Sequence, residues 1–168
     1  MARIAKEAGV STQTVYNSVG SKQALLSALQ RMVDEAGAVE PIQRRIAETD
    51  DPREAIALVA RLRRQMMDGA GDLVGLLAGA ASSDAAVGAV YAESQKRSRD
   101  GIRRVVGRLD SLGALRDDLD ADRAAEAAYA IFHHAVWTRL VDECGWSADE
   151  AERWYADLAE RVLLAPRK

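Results

Sequence analysis

Two short helices joined by a tight turn, near the amino terminus, constrain the fold of this chain more than any other feature of its sequence. The first helix carries apolar residues at the spacing that one helix face requires, namely Ile4, Ala5 and Ala8. Gly9 can adopt the left-handed conformation that ends such a helix. Two residues later, the Ser11 hydroxyl can accept a hydrogen bond from a free backbone N–H near Thr14. The pattern therefore predicts a helix–turn–helix.

The second helix of this pair has two unlike faces. Because successive helical residues are rotated by about 100°, Val15 and Val19 point to one side. The other side carries the polar groups of Thr12, Gln13, Tyr16 and Asn17. In helix–turn–helix proteins such a face lies in the major groove of DNA. We therefore expect this surface to read a double-stranded DNA operator.

The same segment resembles part of a known family. Residues 4–26 resemble the second to fourth helices of tetracycline-repressor (TetR) family regulators. The likeness rests on three runs at matching spacing, Gly9-Val10-Ser11, Val15-Tyr16 and Gly20-Ser21-Lys22. It implies an all-α fold in which a helix–turn–helix head is attached to a helical ligand-binding and dimerisation domain.

The resemblance also implies roles for individual residues of the head. Tyr16 and Lys22 would hold DNA phosphates, and Lys22 lies at a helix start, where the helix dipole favours an anion. The side chains expected near the bases are those of Thr12, Gln13, Thr14 and Asn17.

Members of that family carry a further amphipathic helix before this segment. It packs across the helix–turn–helix and touches the DNA backbone. This sequence begins at Met1, one residue before the second helix. We therefore expect a head that lacks the first helix, with Ile4, Val15 and Val19 short of apolar cover. Few buried contacts mean low local stability, so weak DNA binding is expected of the chain in this form.

Composition favours helices throughout the chain. The 168 residues include only three prolines, and Ala, Leu, Arg and Glu dominate long stretches; these residues are good helix formers. There is no apolar run long enough to cross a membrane, and no signal peptide is visible. The single Cys144 suits a reducing compartment. We expect a cytoplasmic protein without a membrane partner.

Charge divides the chain into a basic head and an acidic body. Residues 1–33 contain four basic side chains and one acidic side chain and so carry +3, which leaves −6 on the remaining residues for a net charge of −3. This asymmetry is typical of DNA-binding proteins. We therefore predict a partial DNA-binding domain over residues 1–33 and a helical effector-binding and dimerisation domain over residues 34–168.

Capping residues and turn signals divide the body into helices. A helix beginning at Ser21 is predicted to kink or end near Gly37 and Pro41. The later helices are predicted over 52–68, 73–80, 84–112, 121–143 and 147–164. A turn is expected at 68–72, and the apolar helix 73–80 is expected to be buried.

The last two helices carry apolar stripes and are joined by a short turn. Such a pair forms an antiparallel hairpin, and pairing with a two-fold copy would complete a four-helix bundle. We expect a homodimer through Val136, Leu140, Trp154, Leu158 and Val162. The run from Trp137 to Trp154 also resembles the dimerisation hairpin of TetR-type regulators. The alternative is a hairpin that packs only within its own chain.

Aromatic and methionine side chains concentrate in the middle of the body. Large apolar surface with few polar tips is typical of small-molecule sites. We expect an effector cavity lined by Met66, Tyr91, Tyr129, Phe132, His133 and Trp137. The alternative is that these side chains fill a solid core.

No residue pattern in the sequence indicates catalysis. The two histidines, His133 and His134, are adjacent, and adjacent helical residues point about 100° apart, so they are not expected to chelate one metal. No nucleophile elbow and no glycine-rich phosphate loop is present. We predict no catalytic residue, no metal and no cofactor, and therefore no enzyme.

The sequence most favours a ligand-responsive transcriptional regulator. It would act as a repressor that a small apolar or amphipathic effector releases from DNA. The alternative is a helical dimer that binds a ligand or a protein and does not bind DNA.

Overall fold

The computed structural model describes residues 6, 9–21, 24, 27–29, 31–32 and 39–166. The described parts of the chain are helical, so the predicted all-α fold is confirmed. The helices are α1 (Thr12–Val19), α2 (Val39–Glu48), α3 (Pro52–Ala80), α4 (Ala85–Ser111), α5 (Ala121–Ile131), α6 (His134–Thr138) and α7 (Ala148–Leu163). A π-helical turn, Arg139–Glu143, follows α6. Predictions for Ile4, Ala5, Ala8 and Lys22 lie outside the described residues.

The predicted helix starts are confirmed by their caps. Ser147 and Glu150 form a capping box, in which each side chain binds the backbone N–H of the other residue. Single aspartates cap three further helices, and each carboxylate accepts from a free N–H of the first turn; these caps are Asp51, Asp84 and Asp120. Each cap satisfies backbone donors that have no partner within the helix.

The predicted turn at 68–72 is wrong, because α3 continues to Ala80. Within it only Ala70 leaves the helical conformation, with φ −149° and ψ 19°, and one such residue is enough to kink a helix. The predicted burial of 73–80 is also wrong. Leu77 is buried, but Leu76 is 66% exposed, because the end of α3 offers only one face to α4 and the cluster around Val87.

Pro41 does not interrupt a helix. It lies in the first turn of α2, where the missing proline N–H removes no intrahelical hydrogen bond. Gly37 lies outside the described residues.

The single helix predicted over 121–143 is broken after Ile131. His133 has the extended backbone angles φ −70° and ψ 138°, and it caps α6 by accepting from the Ala135 N–H through its ring. Neither glycine nor proline marks this break. The break is stabilised by the His133 ring, which accepts from the Ala135 N–H, and by a contact with Tyr155 of α7.

Tyr155 of α7 is the centre of the core. It is fully buried and stacks on Phe132 at 5.5 Å and on Trp137 at 6.0 Å between ring centroids. Its hydroxyl donates to the His133 carbonyl oxygen at 3.2 Å. Burial raises the pKa of the Tyr155 hydroxyl, so this group stays protonated and remains a donor. Tyr155 thereby joins α7 to the point where α5 ends and α6 begins.

Replacing Tyr155 by phenylalanine should test this link. We expect Tyr155→Phe to lower the free energy of unfolding by about 1 kcal/mol, because one buried hydrogen bond is lost while the ring packing is kept. Urea unfolding measures the change. Tyr16→Phe is the control, because Tyr16 is 43% exposed. Equal stability of the two variants would contradict the assignment.

Candidate functional site

The turn before α1 has the predicted geometry. Gly9 has φ +66°, the left-handed conformation that favours glycine. Ser11 caps α1, and its side-chain oxygen accepts from the Thr14 N–H at 3.0 Å. Val15 points away from the polar face and is buried at 8% exposure, so the expectation that it lacks apolar cover is wrong. The Val19 side chain lies outside the described part of the structure.

The polar face of α1 is open to solvent. Thr12, Gln13, Thr14, Tyr16 and Asn17 are all exposed. The Gln13 amide donates to the Asn17 side-chain oxygen at 2.9 Å, so these two side chains form a pair on the surface. The Thr14 hydroxyl lies 2.8 Å from the Ser11 hydroxyl, which ties it to the cap. The face therefore presents solvent-exposed amide and hydroxyl groups that can meet the edges of bases.

A cavity of about 890 Å³ lies in the body of the protein. It is bounded by α2, by α3, by the middle of α4 and by the junction of α5 with α6. Of the predicted lining residues, the structure brings Met66, Tyr91 and Phe132 together at this cavity. The remaining wall combines aliphatic side chains with polar and charged ones.

The other three predicted lining residues, Tyr129, His133 and Trp137, do not line the cavity. Trp137 is 3% exposed and belongs to the core. Tyr129 and His133 pack edge to face, with ring centroids 5.9 Å apart. Both contact the Gln95 side-chain nitrogen, which donates to the Tyr129 hydroxyl at 3.1 Å and lies 2.9 Å from His133 Nε2. Gln95 itself lines the cavity, so it connects these two side chains to the wall.

His134, which the sequence did not single out, takes the place at the cavity that His133 was expected to occupy. The two histidines were expected to point about 100° apart, but the helix breaks at His133 and their rings lie side by side, with centroids 4.3 Å apart. Burial, the neighbouring His133 and the charge of Arg63 lower the pKa of His134 to about 4. His134 is therefore neutral at pH 7.

Arg63 is another residue that lines the cavity and was not predicted from the sequence. It lies on α3, at helical spacing from Ile56, Val59 and Met66, and therefore on their apolar face. The signal was present in the sequence, as a cation within an apolar stripe. In the structure Arg63 lines the cavity, and its buried Nε has no hydrogen-bond partner.

The predicted dimer stripe is half-buried in the single chain. Residues Val136, Leu140, Trp154, Leu158 and Val162 all have this intermediate exposure. The fully buried face of α7 is the adjacent one, which carries Ala151, Tyr155, Ala159 and Leu163. The hairpin therefore supplies its own core with one face and leaves a neighbouring apolar stripe partly open.

Among the described residues, no three His, Cys, Asp or Glu side chains lie close enough to hold a metal ion. In the same parts of the chain, no helix combines the length and the apolar character needed to cross a membrane.

Comparison with known proteins finds likeness in structure only. No protein-family model matches the sequence, and no curated protein matches it. Solved structures do match. One is a protein from Saccharomonospora viridis described as a transcriptional regulator, crystallised in complex with choline. It has a TM-score of 0.69 and 21% identity, and the match covers 97% of this chain and 85% of that one.

Two further solved structures are TetR-family regulators. PfmR from Thermus thermophilus has a TM-score of 0.68 and 20% identity, over 98% of this chain and 88% of that one. A TetR transcription regulator from Haloarcula marismortui has a TM-score of 0.68 and 21% identity, over 96% and 85% of the two chains. The fold of this chain is therefore the fold of TetR-family regulators, as the resemblance in the head predicted.

Stability should depend on pH through His134. Its pKa in the folded protein is about 4, below the ordinary value of about 6.5, so between these values the unfolded chain binds the additional proton. The free energy of unfolding should fall as the pH drops through this range, by at most about 1.4 kcal/mol per pH unit. Well above the ordinary value of about 6.5 the histidine is neutral in both states, and no loss is expected there.

Comparison with a His134→Gln variant isolates this contribution, because carboxylates that titrate in the same range are common to both proteins. Urea unfolding at several pH values should show the difference in stability between the two proteins changing between about pH 6.5 and pH 4. A constant difference across that range would contradict the assignment.

Proposed function

We propose that this protein is a DNA-binding transcriptional regulator, acting as a repressor, whose affinity for its operator is controlled by a small molecule in the cavity. The observation that carries the proposal is the exposed polar face of α1. It follows a Gly9–Ser11 turn, lies opposite the buried Val15, and belongs to a chain with the TetR fold. In this proposal residues 1–33 form the DNA-binding part and residues 34–168 the effector-binding and dimerisation part.

Base recognition is assigned to the Gln13–Asn17 pair and to Thr12. Glutamine and asparagine amides can both donate to and accept from an adenine edge in the major groove. The hydrogen bond between Gln13 and Asn17 holds the two amides in a fixed relation before DNA is bound. Tyr16 and Lys22 are assigned to phosphates, which position the helix without reading sequence.

The cavity has the properties of an effector site. Its volume of about 890 Å³ lies in the range of small-molecule sites, roughly 300–1,000 Å³. The likeness to a protein crystallised with choline further supports a small-molecule ligand in this fold. The ligand would be held between α3 and α4, beside Met66, Tyr91 and Phe132.

A packed cluster connects the cavity to the head. Leu77 and Tyr91 line the cavity, and both belong to a cluster centred on Leu77 and Val87 against which Leu29 also packs. Leu29 lies in the chain between α1 and α2. A ligand that displaces Leu77 or Tyr91 would therefore move the support of Leu29, and through it change the position of α1. Such coupling needs only a difference in ligand affinity between the two arrangements.

Selection of bound duplexes from a random DNA library tests the function directly. A regulator should enrich one operator sequence with two-fold symmetry, and a cavity ligand should change its affinity for that operator. Because weak DNA binding is expected of this head, the selection is carried out at low salt, where phosphate contacts are strongest. Failure to enrich any sequence there would contradict the regulator and favour a helical ligand-binding dimer without DNA binding.

Two head variants should behave differently on the selected operator. Gln13→Ala should relax the base preference at one position of each half-site, at a cost of about 1–3 kcal/mol. Lys22→Ala should weaken binding to all sequences alike and lower the slope of log affinity against log salt by about one. Fluorescence anisotropy over a range of salt measures both. The assignments are reversed if Lys22→Ala changes the preference and Gln13→Ala does not.

We also propose a homodimer through the half-buried stripe of α6, the π-helical turn and α7. Trp154→Asp should break it, because a charge would be placed at an apolar seam. Trp154 also packs on Trp146 and Tyr155 within its own chain, so Leu158→Asp is the cleaner variant. We expect Leu158→Asp to sediment as a monomer.

Leu76→Asp is the matched control for the dimer test, because Leu76 is 66% exposed on another helix and should tolerate a charge. Sedimentation velocity measures the mass of all three variants. A dimer that persists in Leu158→Asp would exclude the proposed interface.

A further inference from the structure

We propose that the cavity binds an amphipathic small molecule with a carboxylate, and that Arg63 is the residue that holds that carboxylate. The inference rests on the proposed function, because the molecule is taken to be the effector of the regulator. It concerns the chemical class of the ligand, which the fold does not determine.

Arg63 is a half-buried cation that has no ion pair with any residue in the described parts of the chain. Its Nε is covered by protein and makes no hydrogen bond, yet the residue lines the cavity. Burial lowers the pKa of the guanidinium, but arginine remains charged in proteins. An isolated buried charge is costly unless it is paired, so the arrangement calls for an anion at this place.

The adjacent arginine shows how this protein pairs a cation that has only a structural role. Arg64 contacts three carboxylates, with Asp149 through a short hydrogen bond, Glu152 at 2.9 Å and Asp68 at 3.3 Å. These contacts tie α3 to α7 without any ligand. Within the parts of the chain that the structure describes, Arg63 has no such ion pair, although it is only one position away.

The other ionisable groups around Arg63 do not supply the missing negative charge. His133, His134, Tyr129 and Tyr155 interact with its charge. At pH 7 the histidines are neutral, because their pKa values are lowered by burial, and burial raises the pKa of the Tyr155 hydroxyl.

The two carboxylates of the lining are already paired with other cations. Glu40 contacts Arg44 at 3.3 Å and Asp100 contacts Lys96 at 2.9 Å. The cavity around Arg63 is therefore positive, which favours an anion and disfavours a cation.

The rest of the wall defines the remainder of the ligand. Aliphatic side chains surround the position of Arg63, and they include Val59, Leu62, Val74 and Val105. They would bury an apolar body, while one planar guanidinium matches one carboxylate through two parallel hydrogen bonds. Arg97 and Arg104 also line the cavity, but both are exposed, whereas Arg63 is half-buried. Arg63 is therefore the cation that a carboxylate inside the cavity would meet.

Three probes with the same eight-carbon chain separate charge from apolar binding. The full chain is titrated calorimetrically at pH 7 with octanoate, octan-1-ol and octyltrimethylammonium. Octanoate should bind about ten- to a hundredfold more tightly than octan-1-ol, as expected of a charge-assisted hydrogen bond. Octyltrimethylammonium should bind more weakly than octan-1-ol.

Variants identify the residue responsible for this preference. Arg63→Met should reduce octanoate affinity to that of octan-1-ol and leave octan-1-ol affinity unchanged. Arg61→Met is the matched control, because Arg61 lies on the same helix and is exposed, and it should keep the preference for octanoate. Arg63→Lys should keep part of it, because the charge remains and the bidentate geometry is lost.

The proposal is overturned if octanoate does not bind, if either of the other probes binds as tightly, or if Arg63→Met keeps the preference. If Arg63→Met does not fold, two results decide whether the proposal stands. They are the order of affinity of the three probes for the unaltered chain and the affinity of Arg63→Lys for octanoate. These titrations contain no DNA. A chain that prefers octanoate but enriches no operator would refute the regulator and leave the ligand class standing, and the converse result would refute only the ligand class.

Discussion

The hydrogen bond from the Tyr155 hydroxyl to the His133 carbonyl oxygen supports the irregular backbone around which the body is arranged. At His133 the chain leaves the helical conformation and at once begins a new helix. Phe132 and Trp137, on either side of the break, both stack on the Tyr155 ring. The break also turns His134, and not His133, toward the cavity. One buried tyrosine thus determines which side chains of this segment belong to the core and which to the binding site.

Helix α3 connects the core, the cavity and the cluster below the head. Its first half buries Ile56 and Val59 and holds α7 through the carboxylate partners of Arg64. Arg63, one position before Arg64, is rotated from it by about 100° around the helix axis and lines the cavity. Past the kink at Ala70, Leu77 lines the cavity and packs in the cluster that includes Leu29. One helix therefore contacts the core, the cavity and the cluster that includes Leu29.

The sequence predicted local features better than features that depend on distant contacts. The caps at Ser11, Asp51 and Ser147 were predictable, because a cap involves only neighbouring backbone groups. The break at His133 was not, because its supports include the ring and hydroxyl of Tyr155, 22 residues further along the chain. Met66 and Phe132 were placed correctly at the cavity. Arg63 was overlooked, although its position in an apolar stripe was visible.

The cavity depends on the irregular places in the helices. Regular helices with apolar faces pack to the density of organic crystals and leave few voids larger than a water molecule. Here the wall includes Val74 beyond the kink at Ala70 and Phe132 at the break between α5 and α6. A cavity of about 890 Å³ in so small a body sacrifices apolar contacts. The half-buried Arg63, which has no ion pair among the described residues, adds to that cost. Both costs fall when a ligand with an apolar body and a negative charge fills the space, so binding and stability are expected to rise together.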